Sequence, residues 1–397
     1  MSQLSRMTSP AARHHTARLV ATLLTHRRET LPAAPKTLPG TAPRPAGGAI
    51  PTGPTGLGTS AARIAAGRAA AGSAEARGTG VPELYCPPAI RDDPALGQEV
   101  NDRLVSWAEE VGLYAGRLDR VRAADFGRLM MLAHPDTEDP DRLLAAARCA
   151  LAEWATDDYY CDDETMGSRP ELLGSHLGLA HAALDPAHLP ARYASAWEAD
   201  MGEDPVRVAL RSALQDLARY ADSAQLARLR HEVAVLFVGY GQEGSWRSRG
   251  HMPTVREYLA HRQINSFLPC IALVDVVSGS RLAAAEYADP RVRRVVTMAG
   301  TASTLVNDLY SMTKEHQSSG VEFNLPTVIA EEERCSPSEA VERSVEIHDE
   351  LVRAYESEAA ALAATGSPQL RHFLAGVWAW LGGNREWHSG SLRYNEA

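Results

Sequence analysis

The chain has 397 residues and a formal charge of −10, from 40 Lys and Arg against 50 Asp and Glu, with 45% hydrophobic residues. That apolar share suffices for the core of a soluble globular protein, while no apolar run approaches the ~20 residues that span a bilayer. The charge is unevenly shared: residues 1–80 hold ten basic residues and two acids, a net +8, so the remaining 317 carry −18. An acidic body of this kind argues against nucleic acid or an anionic membrane as partner unless cations intervene.

The first 80 residues have no aromatic side chain; all 24 aromatics follow, beginning with Tyr85. From Leu31 to Gly80 the chain is mostly Ala, Pro, Gly and Thr. Such a segment buries too little to offset the entropy of ordering, so residues 1–80 are expected to form a disordered leader. The Arg-bearing stretch 1–28, with its small patch of Leu19, Leu23 and Leu24, is read as part of that tail rather than as a transit peptide. A single folded domain is expected over residues 81–397. Five scattered cysteines (Cys86, Cys149, Cys161, Cys270, Cys335) contain no CxxC pair, which points to a reducing, cytoplasmic setting without a disulfide framework or zinc finger.

Beyond residue 81 the pattern is helical throughout. Segments at helical spacing run over 99–112, 141–160, 205–220, 225–240, 255–279, 290–316, 336–364 and 367–385. Asp139-Pro140, Asp289-Pro290, Ser336-Pro337 and Ser367-Pro368 each place a capping side chain before a proline suited to the first helical position. At least eight helices without a repeat period predict an all-α fold in one domain.

Two of these helices carry unusual polar chemistry. The segment Asp157-Asp158-Tyr159-Tyr160-Cys161-Asp162-Asp163-Glu164 puts five carboxylates into eight residues at the end of an apolar helix. Acids there oppose the macrodipole, and Asp158 and Asp162 repel at i, i+4. A hard divalent cation such as Mg²⁺ would compensate. Taken alone, the run reads equally well as a solvated acidic helix end. The second segment is Asn307-Asp308-Leu309-Tyr310-Ser311-Met312-Thr313-Lys314-Glu315. Here Asn307, Ser311 and Glu315 recur every four residues, a stripe of oxygen donors along about 12 Å of helix. Lys314 is one of two lysines in a chain with 38 arginines, and lysine is a common phosphate-binding point charge.

An aspartate-rich DDxxxD followed about 150 residues later by NDxxSxxKE resembles the bacterial class I terpene synthases. The resemblance implies a single α-helical domain, three Mg²⁺ ions holding a prenyl diphosphate, and cyclisation through a carbocation. It implies that Asp157 ligates two metals with Asp158 and Asp162 in support, that Asn307, Ser311 and Glu315 chelate the third, and that Lys314 contacts the diphosphate. Glu257–Arg262 is similar to the helix bearing the family's diphosphate-sensing arginine, here Arg262, with Asn265 and Ser266 at the linker and effector positions and Pro269 breaking the helix. The terminal Arg393-Tyr394 resembles an Arg-Tyr pair that reaches the diphosphate on closure. An allylic cation also requires a dry pocket with aromatic faces. Trp154, one turn before Asp157, is a candidate, with Phe267, Trp378, Tyr85 and Trp380, although core packing accounts for each single ring equally well.

The wording of the two motifs and the long leader are similar to the branch of the family that cyclises 2-methylgeranyl diphosphate, a C11 substrate, to a bicyclic alcohol with water capture. An olefin such as 2-methylenebornane, or a geranyl or farnesyl diphosphate substrate, would share every metal motif. A chain-elongating prenyltransferase would carry a second aspartate-rich motif in place of the Asn/Ser/Glu stripe. A non-catalytic helical module is the reading of a different class. The resemblance also implies a homodimer.

Overall fold

The computed structural model describes residues 81–162, 168–315 and 323–390. All four of the Asp-Pro and Ser-Pro signals start helices. Asp139 accepts from the Asp141 amide, Asp289 from the Arg291 amide, Ser336 forms a capping box with Glu339, and Ser367 accepts from the Leu370 amide. Each cap satisfies a backbone donor that the first helical turn leaves without a partner.

The helices, in chain order, are α1 (Pro94–Glu110), α2 (Leu118–Ala124), α3 (Phe126–Ala133), α4 (Pro140–Asp157), α5 (Leu173–Leu184), α6 (Ala191–Gly202), α7 (Pro205–Leu217) and α8 (Ser223–Arg249). They continue with α9 (Val255–Arg262), α10 (Leu268–Ile271), α11 (Val274–Val277), α12 (Ala284–Tyr287), α13 (Pro290–Glu315), α14 (Leu325–Glu333), α15 (Pro337–Thr365) and α16 (Pro368–Gly390). Among the described residues there is no strand, and no helix is long and apolar enough to cross a membrane. The all-α expectation therefore holds.

One expectation is refined. The helical segment 255–279, expected to break at Pro269, breaks before that residue and again after Ile271, giving three short helices, α9, α10 and α11. Helices α2, α5 and α6 lack a side-chain cap at their starts, and none of them carries a start signal legible in the sequence.

Helix α3 packs between α1 and α16, while α13 runs along α15 and α16. Helix α4 lies against α7, α1 and α3. The chain breaks between α9 and α10, where Phe267 meets Trp154 of α4, Trp380 and His388 of α16 and Thr304 of α13. That break, residues 263–267, is seated by two close approaches. A Cβ on Gly239 of α8 would come 2.9 Å from the Asn265 Cβ, and one on Gly300 of α13 would come 2.9 Å from Leu268 Cγ. At Gly239 the crowding includes the Asn265 amide nitrogen (3.1 Å), so glycine is what lets α8 draw so near the break; at Gly300 it is with the side chain of Leu268, the first residue of α10.

Candidate active site

The carboxylate cluster begins where α4 ends. After Asp157 the chain winds for one turn as a π-helix, Asp158–Asp162, a distortion often found at functional sites. Neighbours hold it from several sides. The Tyr114 hydroxyl donates to Asp158 Oδ2 (2.7 Å) and the Tyr114 amide donates to the Tyr159 hydroxyl (2.7 Å). The Tyr160 hydroxyl donates to Asp204 Oδ2 (2.8 Å), and Arg247 donates to the Cys161 carbonyl (3.0 Å). Asp157 and Asp158 are half-buried. The side chain of Asp162 lies outside the described residues.

On α13, Asn307 and Ser311 are half-buried on one face. The Asn307 amide nitrogen is 3.3 Å from Nε2 of His388 on α16. The side chains of Lys314 and Glu315 lie outside the described residues, as do Arg393 and Tyr394 entirely. Asp157, Asp158, Asn307 and Ser311 together offer carboxylate, amide and hydroxyl oxygens, the hard donors that Mg²⁺ takes in preference to softer metals. Among the described residues no three Asp, Glu, His or Cys side chains converge on one point. Oxygen donors of this kind suit a cation shared with a ligand's own oxygens, as with Mg²⁺ and phosphates.

Arg262, at the end of α9, is buried against the same α13 helix. It donates to Asp308 Oδ1 (2.6 Å) and, through Nε, to the Tyr258 hydroxyl (2.7 Å). Burial works against its charge, and Asp308 overrides this, holding the guanidinium protonated above its ordinary range. Asn265 donates to Glu243 (3.1 Å), and Ser266 is buried in the break, with its Oγ accepting from the Leu268 amide (3.4 Å). The break precedes Pro269, which is the second residue of α10 rather than the breaking point.

Trp154, Phe267 and their neighbours form one aromatic group. Trp154 lies 5.4 Å from Phe267, 4.9 Å from Phe126 and 6.2 Å from Trp387, while Phe267 lies 6.1 Å from both Trp380 and His388. Trp154 is one turn before Asp157 and His388 touches Asn307, so this group links the two polar walls. Trp378 does not join it. Trp378 stacks on Tyr355 (6.1 Å, 5° between planes) on another face of α16. Tyr85 is also remote: it is exposed, and its hydroxyl donates to Glu356 (2.6 Å). Phe126, Trp387 and His388 are the members the sequence reading missed. The available signal was the spacing of Trp380, Asn384, Trp387 and His388, which share one face of the last helix.

One turn before Asp157, the buried Glu153 carboxylate is 3.7 Å from the Cys270 sulfur. Burial pushes its carboxyl up to about 8. The folded state then keeps a proton that the unfolded chain releases near pH 4.5, so stability falls as pH rises through this window. Between about pH 6 and about pH 7.5 the loss from this group is expected to be about 2 kcal/mol, at about 1.4 kcal/mol per unit. Glu153→Gln is expected to flatten that fall, as urea denaturation at the two pH values would show. An unchanged pH dependence would contradict the buried, protonated state.

Comparison with known proteins agrees with this geometry. A family model described as terpene synthase family 2, C-terminal metal binding, matches residues 149–354, a span that takes in both polar walls and the broken helix. The chain belongs to the terpene synthase family. Within that family it is similar to the 2-methylisoborneol synthase of Streptomyces lasalocidi, with 44% identity over 361 residues, covering 87% of this chain and 74% of that protein. It is also similar to that of Saccharopolyspora erythraea, with 39% identity over 316 residues, covering 78% of this chain and 89% of that protein. The crystal structure of 2-methylisoborneol synthase from Streptomyces coelicolor A3(2) in complex with Mg²⁺ and 2-fluoroneryl diphosphate superposes with a TM-score of 0.76. It shares 43% identity and is covered to 98%, against 80% of this chain.

Proposed function

We propose that this chain is a Mg²⁺-dependent cyclase that converts 2-methylgeranyl diphosphate and water to 2-methylisoborneol and diphosphate. The observation that carries this reading is the 39–44% identity to 2-methylisoborneol synthases along most of the chain. The pairing of oxygen-donor walls with an aromatic group supports it.

In this reading Asp157, Asp158 and Asp162 hold metal on one wall, and Asn307, Ser311 and Glu315 on the other. Bound there, Mg²⁺ supplies Lewis-acid neutralisation of the departing diphosphate. Arg262, Lys314, Arg393 and Tyr394 donate hydrogen bonds to the same group, so the charge that develops as the C–O bond breaks meets donors already in place. The electron pair leaves with the diphosphate oxygen. Trp154 and Phe267 present π faces to the allylic cation and exclude water while the rings close, with Ser266 beside them at the break. Water then attacks the bicyclic cation and loses a proton to give the alcohol. The same reading assigns residues 81–397 to the cyclase and residues 1–80 to a leader outside it, and it makes the protein a cytoplasmic homodimer.

The test is incubation with Mg²⁺ and, separately, 2-methylgeranyl, geranyl and farnesyl diphosphate, followed by gas chromatography–mass spectrometry. The C11 substrate is expected to give 2-methylisoborneol as the main product at the highest rate. A clear preference for farnesyl diphosphate, or 2-methylenebornane as the main product, would overturn the assignment of substrate or product respectively.

A further inference from the structure

His388 belongs to neither of the metal motifs, yet it occupies a defined place between them. Its ring is fully buried. Nδ1 lies 2.8 Å from the backbone carbonyl of Asn384. A carbonyl oxygen only accepts, so Nδ1 carries the proton and, in the neutral ring, Nε2 presents a lone pair. That lone pair faces the Asn307 amide nitrogen at 3.3 Å. The amide therefore donates through nitrogen to His388, and its oxygen is turned to the opposite side.

The surroundings make this orientation rigid. Trp387 (4.6 Å), Tyr310 (5.9 Å) and Phe267 (6.1 Å) pack on the imidazole. Asn384, whose carbonyl fixes the tautomer, also donates through its side chain to the Ser303 carbonyl (3.1 Å), one turn before Asn307 on α13. Helix α16 thus grips α13 at Ser303 and aims the amide at Asn307 through the same pair of residues. An asparagine amide has a broad terminal torsion. Without an acceptor at His388, nitrogen and oxygen could exchange places, and an amide nitrogen is no ligand for Mg²⁺.

We propose that His388 is a positioning residue that orients the Asn307 amide so that its oxygen faces the metal. This rests on the reading of Asn307 as a metal ligand given above. The role needs an acceptor at the Nε2 position rather than an aromatic ring, and that distinction can be tested.

The full-length protein and its His388→Phe and His388→Gln variants would be titrated with inorganic diphosphate by calorimetry over a series of Mg²⁺ concentrations. Phe keeps the ring and loses the acceptor, whereas Gln places an oxygen near Nε2. His388→Phe is expected to raise the Mg²⁺ concentration needed for half-saturation by about ten-fold or more, the usual scale for loss of a group that orients a ligand. His388→Gln is expected to stay within about three-fold of the unaltered protein on the same scale. In an Asn307→Ala background, His388→Phe is expected to add nothing to the defect. Unaltered Mg²⁺ dependence in His388→Phe, equal impairment in the Phe and Gln variants, or additive losses in the Asn307→Ala background would each overturn the proposal. If the unaltered protein bound no diphosphate with Mg²⁺, the cyclase reading itself would fall, and this proposal with it.

Discussion

Replacing Asp308 with Ala is expected to destabilise the domain by about 3–5 kcal/mol, the usual cost of removing one partner of a buried ion pair. Asp308 is wholly buried. It accepts from Arg262 (2.6 Å), from the Leu325 amide at the start of α14 (3.1 Å), and from the Tyr258 hydroxyl (2.8 Å). Removing the carboxylate leaves the Arg262 guanidinium without its ion-pair partner and the Leu325 amide without its acceptor, while the Tyr258 hydroxyl keeps the Phe323 carbonyl (2.9 Å). The measurement is urea denaturation, where the midpoint should fall at an unchanged slope. The paired replacement Arg262→Met with Asp308→Leu is expected to cost much less, because no charge is left uncompensated in the interior. That double variant also separates structure from chemistry. If Arg262 contacts the diphosphate, the double variant folds and makes little product. A double variant as unstable as Asp308→Ala would show that the ion pair is not the source of the cost.

This network marks the limit of what the sequence discloses. The two polar motifs stand out in the sequence because their spacing is local: Asn307 and Ser311 lie one turn apart, and Asp157 and Asp158 end a plainly apolar helix. Asp308 sits beside Asn307 in the chain but is rotated about 100° around the helix. It faces α9, and nothing local names Arg262 as its partner. The π-helical turn after Asp157 was equally hidden, since it depends on Tyr114, Asp204 and Arg247, each more than 40 residues away. Trp378 and Trp380 show the same limit on one helix. Two residues apart, they point to different faces, and only the packing of α16 on α3 and α13 decides that Trp380 meets Phe267 while Trp378 stacks on Tyr355. The starts with an Asp-Pro or Ser-Pro signal were legible because a cap acts within three residues; a break near Pro269 was expected, but its place at 263–267 was not, because contacts with Gly239 on another helix help seat it.

Asn307→Ala is expected to reduce product formation by about 100-fold or more, comparable to losing one preorganised electrostatic contact to a developing anion, or about 3 kcal/mol of barrier. The fold should barely register the change. Asn307 is half-buried, and its contact with His388 is an ordinary neutral one worth about 1 kcal/mol. The expected contrast with Asp308, its neighbour in the chain, is therefore sharp: Asp308→Ala should lower stability and Asn307→Ala should lower turnover. Under the proposed ligand assignment Ser311→Ala is expected to lose less, because water can replace a neutral hydroxyl, whereas Asp157→Ala removes a charged group from the opposite wall and should match the Asn307 loss. Raising Mg²⁺ should recover part of the activity of Ser311→Ala and little of that of Asp157→Ala. Initial rates of diphosphate release over a Mg²⁺ series, with thermal melts of each variant as control, check the ordering. If Asn307→Ala turned over at the unaltered rate with an unaltered Mg²⁺ requirement, the stripe on α13 would be an ordinary polar helix face, and the metal site would have to be sought elsewhere in the domain.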